Sequence, residues 1–263
     1  MPLKIATWNV NSLRVRLPQV LSWLSSAQPD FLALQETKVM DALFPFEALE
    51  KAGYHVIYSG QKTYNGMAIL SKNPLTDIQK TIPDFNHEEK RLLGATLGQL
   101  RVWNIYVPNG ESVSSDKYIY KLAWLDRFKL FLQDELKRYP QLLVLGDFNI
   151  APSVQDVHDP ALWEGHVLFS ESERARLQDL FSLGMQDCFR LHHPQDKSFS
   201  WWDYRLNAFK RNMGLRIDLI LASSLLAPHC LGCSIDRTPR SWERPSDHTP
   251  VMAEFNISEA NHF

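Results

Sequence analysis

Residues 92–106 read LLGATLGQLRVWNIY. Two runs of strand length, Leu92–Leu97 and Arg101–Tyr106, are separated only by Gly98–Leu100, too few residues to hold a helix. They therefore form a hairpin, and a sheet that contains a hairpin is not a simple parallel βαβ series. Working outward, similar runs recur at Lys4–Trp8, Asp30–Leu34, Tyr54–Tyr58, Gly66–Leu70, Leu142–Leu145, Ile217–Ala222 and Val251–Phe255. Amphipathic helices lie between them. Leu17, Leu21 and Leu24 keep helical spacing, with Pro18 expected in an early turn. A short helix is expected from Pro45, ended by Gly53. Tyr118, Leu122, Leu125, Phe128, Leu132 and Leu136 mark the longest helix, up to Pro140. Ser170 and Glu173 make a capping box before Leu177, Leu180 and Phe181, with Gly184 as the stop. So many strands, some tightly joined, predict an α/β fold of mixed sheets, two packed face to face with helices outside.

Neither a Gly-, Pro- or Ser-rich linker nor an internal repeat divides the chain, so residues 1–257 read as one domain and 258–263 as a tail. Of 263 residues, 44% are apolar and 22% charged, which excludes a disordered or fibrous protein. No apolar stretch approaches the ~18 residues of a membrane span. The N-terminus places Thr7, Asn9 and Asn11 within its apolar run and lacks the continuous apolar region of a secretory signal. The expected compartment is the cytoplasm, without membrane association. The 28 basic and 30 acidic residues nearly balance, which leaves room for a local basic face beside an acidic metal site. Cys230 and Cys233 form a C-x-x-C without the two further ligands a zinc site needs. Together with Cys188 they read as small core or loop residues.

Acidic and amide residues gather where strands end. Asn9 follows KIATW, Glu36 follows FLALQ, and Asp147 and Asn149 follow LLVLG. Tyr106 and Asn109 close NIYVPNGE, Asp218 lies within GLRIDLIL, and Asp247 and His248 precede the last strand. A carboxylate in an apolar strand, as at Asp218, must be paired, hydrogen-bonded or on a metal. Hard oxygen donors suit Mg²⁺ or Mn²⁺ rather than zinc. This set of carboxylates and amides with one His and one Tyr could supply what phosphodiester hydrolysis needs: an activated water, charge neutralisation and help for the leaving oxygen. No Ser-His-Asp elbow, P-loop or dinucleotide fingerprint competes. Segment 199–216, FSWWDYRLNAFKRNMGLR, interleaves Arg205, Lys210, Arg211 and Arg216 with Phe199, Trp201, Trp202, Tyr204 and Phe209, the pattern of a nucleic-acid face.

These residues carry a resemblance. From KIATWNVNSLRVR (4–16) to ERPSDHTPVMAEF (243–255) the chain resembles the exonuclease III-type nucleases of the endonuclease/exonuclease/phosphatase superfamily. LQETK, GDFN and SDH are signals of the superfamily, whereas GQKTYNGMAILSK, IYVPNGE and FSWWDYR…NMGLRIDLIL belong to the exonuclease III branch. The resemblance implies a four-layer α/β sandwich and a Mg²⁺-dependent monomeric nuclease of double-stranded DNA, with Mn²⁺ as substitute. Such an enzyme cuts 5′ to abasic sites and trims nucleotides or blocking groups from 3′ ends. It further implies Glu36 as main metal ligand, Asp247 as another, and Asn9 or Asn11 close by. Asp147 would activate the water, Asn149 hold a phosphate oxygen, His248 bind the scissile phosphate, Asp218 orient His248, and Tyr106 contact the phosphate or assist departure. Trp201, Leu215 and Ile217 would line a pocket for an extruded abasic sugar. Arg205 would enter the duplex, and Lys62, Asn109, Trp202, Lys210 and Arg211 would contact DNA. Loop 156–170 would tune lesion choice; His158 and His166 within it read as solvated residues. A 3′-end-cleaning enzyme, a phosphatase of other phosphoesters and an inactive DNA-binding scaffold are the competing readings.

Overall fold

The computed structural model describes residues 2–83 and 88–257, so the expected tail at 258–263 lies outside the described residues. Twelve strands are described: β1 (Leu3–Asn9), β2 (Phe31–Gln35), β3 (His55–Ser59), β4 (Met67–Ser71), β5 (Thr76–Gln79), β6 (Leu92–Leu97), β7 (Leu100–Tyr106), β8 (Leu142–Asp147), β9 (Gln186–Asp187), β10 (Asp218–Ala222), β11 (Cys230–Ile235) and β12 (Val251–Phe255). The helices are α1 (Leu13–Ala27), α2 (Phe46–Lys51), α3 (Asp116–Arg138), α4 (Pro160–Trp163), α5 (Glu171–Ser182) and α6 (Cys188–His192). The strands form two six-stranded mixed sheets, ordered β11-β12-β1-β2-β4-β3 and β5-β6-β7-β8-β10-β9.

Alternation along the central strands separates three apolar layers. Ile5, Phe31, Ala33 and Ile69 of the first sheet meet Leu93, Val102, Leu143 and Ile220 of the second in the core between the sheets. The opposite face of the first sheet packs Trp8, Leu32 and Leu34 under Val20, Trp23 and Leu24 of α1 and Leu49 of α2. Trp103, Val144 and Leu221 on the outer face of the second meet Leu125, Phe128 and Leu132 of α3 and Leu177 and Leu180 of α5. The result is the four-layer α/β sandwich.

The hairpin closes as expected, with Gly98 at φ 60. The capping box at Ser170 and Glu173 forms at the start of α5. Pro18 departs from expectation: α1 begins at Leu13, so the ring sits inside the helix rather than in its first turn. Three strands escape the pattern. β5 is mostly exposed, β9 has two residues, and β11, carrying Cys230 and Cys233, pairs on one side only with a register shift. An edge strand buries too little to show a continuous apolar run. All three cysteines are buried and free.

The register explains where function can sit. β1 runs parallel to β2, pairing Asn9 with Gln35, and β7 runs parallel to β8, pairing Tyr106 with Asp147. β10 runs antiparallel to β8, so Asp218 at its start faces Asp147 at the other's end. β12 starts beside the end of β1, with Val251 opposite Thr7. Both sheets thus open their chemical groups at one edge of the sandwich.

Candidate active site

At that edge Asn9 spans the two sheets. Fully buried, its Nδ2 donates to Glu36 Oε1 at 2.8 Å and to Asp147 Oδ2 at 2.9 Å, while its Oδ1 accepts the Asn11 N–H at 3.0 Å. Ligand atoms of Glu36, Asp147 and His248 all lie within 4.8 Å of one another. Asp247 stands on the far side of Asn11, accepting from Asn11 Nδ2 at 2.9 Å and from Trp201 Nε1 at 3.0 Å. Several of these residues adopt left-handed backbone, Asn11 at φ 43, Glu36 at φ 52 and Asn149 at φ 50. Such conformations persist where surrounding bonds over-determine them, and they cluster at functional sites. Gly146, just before Asp147, is required sterically: a Cβ there would lie 1.9 Å from the Ile105 carbonyl oxygen.

His248 is fixed from behind. Its Nδ1 donates to Asp218 at 2.9 Å, and Asp218 also accepts from Ser200 Oγ at 2.6 Å. The Ser246 hydroxyl accepts the His248 N–H at 3.2 Å and donates to the Asn9 carbonyl at 2.7 Å. The other ring nitrogen, Nε2, lies 3.7 Å from Asp147 Oδ2. Burial alone would push this imidazole down; Asp218 and then Asp147 outweigh it and raise the group to about 10. Burial pushes Asp147 up to about 7, opposed by the His248 cation and assisted by Asp218. Asp247 stays below the usual carboxylate range: burial opposes this, but His248, Trp201 and Asn11 prevail. Tyr106 is held well above an ordinary phenol, first by burial and then by the Glu36 charge, although Arg91 stacks 4.6 Å from its ring centroid.

Asn149 donates its N–H to Asp147 Oδ1 at 2.9 Å, and its Oδ1 accepts from Asn109 Nδ2 at 3.1 Å. Asn109, Tyr106 and Glu36 line a cleft of about 630 Å³ together with Arg91, Tyr64 and Tyr120. Lys62 is exposed beside Arg14 and Lys38. Lys210 and Arg211 are exposed, and Arg205 is exposed and paired with Asp203 at 2.6 Å.

Other residues of the expected DNA face lie elsewhere. Trp202 is fully buried, edge-on to Phe209 at 5.0 Å, so it offers no stacking surface. Arg216 is also buried, paired with Asp156 at 2.6 Å and Asp187 at 2.7 Å. Phe199, Trp202 and Phe209 pack into a small core of their own, and two buried carboxylates need a cation; both demands outrank surface placement. Leu215 and Ile217 are entirely buried with Val157, Leu168 and Phe169, and Trp163 packs edge-on against the half-buried Trp201 at 6.4 Å. His158 is half-buried beside Trp163 rather than solvated; His166 is exposed.

Ser200, Ser246, Arg91 and Lys38 escaped the sequence reading. Lys38, Ser246 and Ser200 each lay inside a motif, as the last residue of LQETK, the first of SDH and the second of FSWWDYR; Arg91 lay in none. The Lys38 Nζ lies 2.8 Å from Glu36 Oε2 and 2.6 Å from Asn11 Oδ1. An ammonium bound by a carboxylate and an amide oxygen is a stand-in cation. These oxygens accept positive charge, as the hard donor set of a divalent-metal site requires.

The sequence matches the Endonuclease/Exonuclease/phosphatase family over residues 6–248. It is 38% identical to exodeoxyribonuclease III of Haemophilus influenzae, over 96% of this chain and 100% of that one. Among solved structures, the 3′ phosphatase NExo from Neisseria bound to product DNA hairpin superposes with a TM-score of 0.95 at 44% identity, covering 97% of this chain and all of the other. An AP endonuclease from Archaeoglobus fulgidus superposes with a TM-score of 0.93 at 40% identity, with the same coverage of each chain.

Proposed function

The chain belongs to the endonuclease/exonuclease/phosphatase family, and from that premise we propose that it is a Mg²⁺-dependent DNA repair hydrolase of the exodeoxyribonuclease III and AP endonuclease type. Its substrate is double-stranded DNA with abasic sites or damaged 3′ ends, and it works as a cytoplasmic monomer whose residues 1–257 form one catalytic domain. The observation that carries this reading is the convergence of Glu36, Asp147 and His248 within 4.8 Å. Three segments far apart in sequence meet there, backed by Asp218.

Glu36 and Asp247, with Asn9 and Asn11 beside them, would hold a divalent cation, which would supply Lewis-acid neutralisation of charge on the phosphoryl oxygens. The remaining work falls to the chain. His248, kept protonated by Asp218, presents Nε2–H to a non-bridging oxygen of the scissile phosphate and stabilises its developing charge. Asp147 sits beside it as the carboxylate that takes the proton of the attacking water, and burial raises its affinity for that proton. Asn149, fixed by Asn109, bonds a phosphate oxygen. Tyr106 stays a neutral phenol, able to donate toward the leaving 3′ oxygen. Lys62, Arg205, Lys210 and Arg211 meet the duplex around this centre.

Two duplexes test the reading, one with an abasic site and one with a blocked 3′ end, each incubated with EDTA and with restored Mg²⁺. Cleavage only with the metal supports it; full cleavage in EDTA overturns it. A second reading, 3′-end processing with little abasic-site cleavage, is favoured by the complete burial of Leu215 and Ile217 and the Trp163 indole against Trp201. An apolar pocket that receives a sugar must expose its lining. The same pair of duplexes separates the two: the blocked end is processed in both readings, the abasic site cut only in the first.

A further inference from the structure

A buried ion pair outside the centre described above touches two of its loops. Lys121, in the second turn of α3, and Glu173 of α5 have no solvent exposure. An ammonium in that position has three donors to satisfy away from bulk solvent. One goes to Glu173 Oε1, one to the Asn149 carbonyl at 2.7 Å and one to the Asn109 carbonyl at 3.1 Å. Glu173 in turn accepts the N–H groups of Leu168 at 3.1 Å and Ser170 at 2.9 Å.

Packing α3 against α5 does not call for this arrangement. Apolar side chains of similar volume commonly serve a core as well as or better than a buried ion pair. What a hydrocarbon could not do is hold two main-chain carbonyls. Those carbonyls belong to Asn109 and Asn149, whose side chains bond each other at 3.1 Å, and the Asn149 N–H reaches Asp147 Oδ1 at 2.9 Å. At Asn149 the chain is left-handed, a conformation that needs outside support.

We propose that Lys121, anchored by Glu173, is a positioning residue that locks the Asn109 and Asn149 loops together and thereby aims both amides and Asp147. The proposal rests on the nuclease reading for its activity arm and on the geometry alone for its spectroscopic arm. Wild type, Lys121→Met, Glu173→Gln and the double variant are assayed on the abasic and blocked duplexes with Mg²⁺, and their unfolding temperatures are measured. Lys121→Met lowers kcat about 10- to 100-fold with KM within about threefold, as expected when reacting groups are misplaced by a fraction of an ångström to an ångström. Glu173→Gln keeps both carbonyl bonds and holds kcat within about threefold of wild type. The double variant leaves no unpaired charge in the core, so it regains stability without regaining kcat; it also carries the comparison if Lys121→Met does not fold. Return of kcat together with stability overturns the proposal, as does an equal loss in Glu173→Gln. In metal-free protein the side-chain amide signals of Asn109 and Asn149 shift on loss of Lys121; unmoved signals also overturn it. Absence of cleavage by wild type would instead dispose of the nuclease reading, and the amide signals would still judge the positioning role.

Discussion

Asp147 and His248 are buried side by side, and their charges depend on each other. Asp147→Asn keeps the size but removes the proton acceptor, and its single amide oxygen can accept from Asn9 or from the Asn149 N–H but not from both. Turnover falls by about 10²- to 10⁴-fold while DNA affinity stays near wild type, read as kcat against Kd. A defect confined to binding contradicts the role. His248 offers a second test through pH. Its folded value of about 10 lies above the unfolded imidazole's 6.5. The native state therefore binds the proton more tightly. The stability this contributes is complete below pH 6.5 and disappears as pH rises through 10. Asp218→Asn removes the strongest charge behind that rise. In metal-free protein, NMR titration should show the ring fall toward the ordinary imidazole range, and unfolding temperature should vary less between pH 6.5 and 10. An unchanged titration would mean Asp218 does not govern the ring.

At the level of elements, the two sheets are coupled directly beneath the site. Asn104 of β7 accepts from Gln35 of β2 at 2.7 Å and donates to the carbonyls of Leu34 and Ala68 at 3.0 Å each. These polar bonds, joined by one from Gln35 to the buried Thr7 hydroxyl at 2.9 Å, lie beside the apolar core between the sheets, with Gln35 one residue before Glu36. Asn104→Leu removes one bond from the Gln35 amide, which keeps its bond to Thr7 Oγ1 at 2.9 Å, and one from each of two carbonyls, at a cost of about 1–3 kcal/mol for each buried group that finds no other. Urea unfolding should place the variant well below wild type, and metal affinity should weaken because Glu36 loses its anchored neighbour. Equal stability would show that the layer accepts a fully apolar contact. Asn104 lies within a strand that the apolar pattern marks and Gln35 directly after another, yet their pairing connects positions in different sheets. Strand periodicity reports which face a residue takes and says nothing of its partner across the core.

For the whole molecule, near-neutral net charge conceals an uneven surface. Lys210 and Arg211 are exposed on the loop beside the site, while Arg216 is consumed in the interior. Lys210→Ala with Arg211→Ala should weaken duplex binding similarly for all sequences. The plot of log K against log salt should flatten by about 0.9 for each phosphate the variant no longer neutralises. An unaltered slope removes both residues from the interface. Arg216→Ala should act differently, lowering unfolding temperature by leaving Asp187 without its cation and Asp156 with Arg190 alone.

The amino-acid sequence by itself determined the strand and helix content of the central layers, because apolar periodicity and capping chemistry are local. It also marked nearly every group of the chemical centre, since LQETK, GDFN and SDH each place a charged or amide side chain at a strand end. Only the tertiary structure decided which of these meet and which neighbours complete them. Ser200 reaches Asp218 and Trp163 covers Trp201 through contacts between residues separated in sequence. The tertiary structure also divided an aromatic and basic loop into an exposed rim at Arg205, Lys210 and Arg211 and a buried base at Trp202 and Arg216. Burial depends on what packs from elsewhere in the chain, and local composition does not encode it.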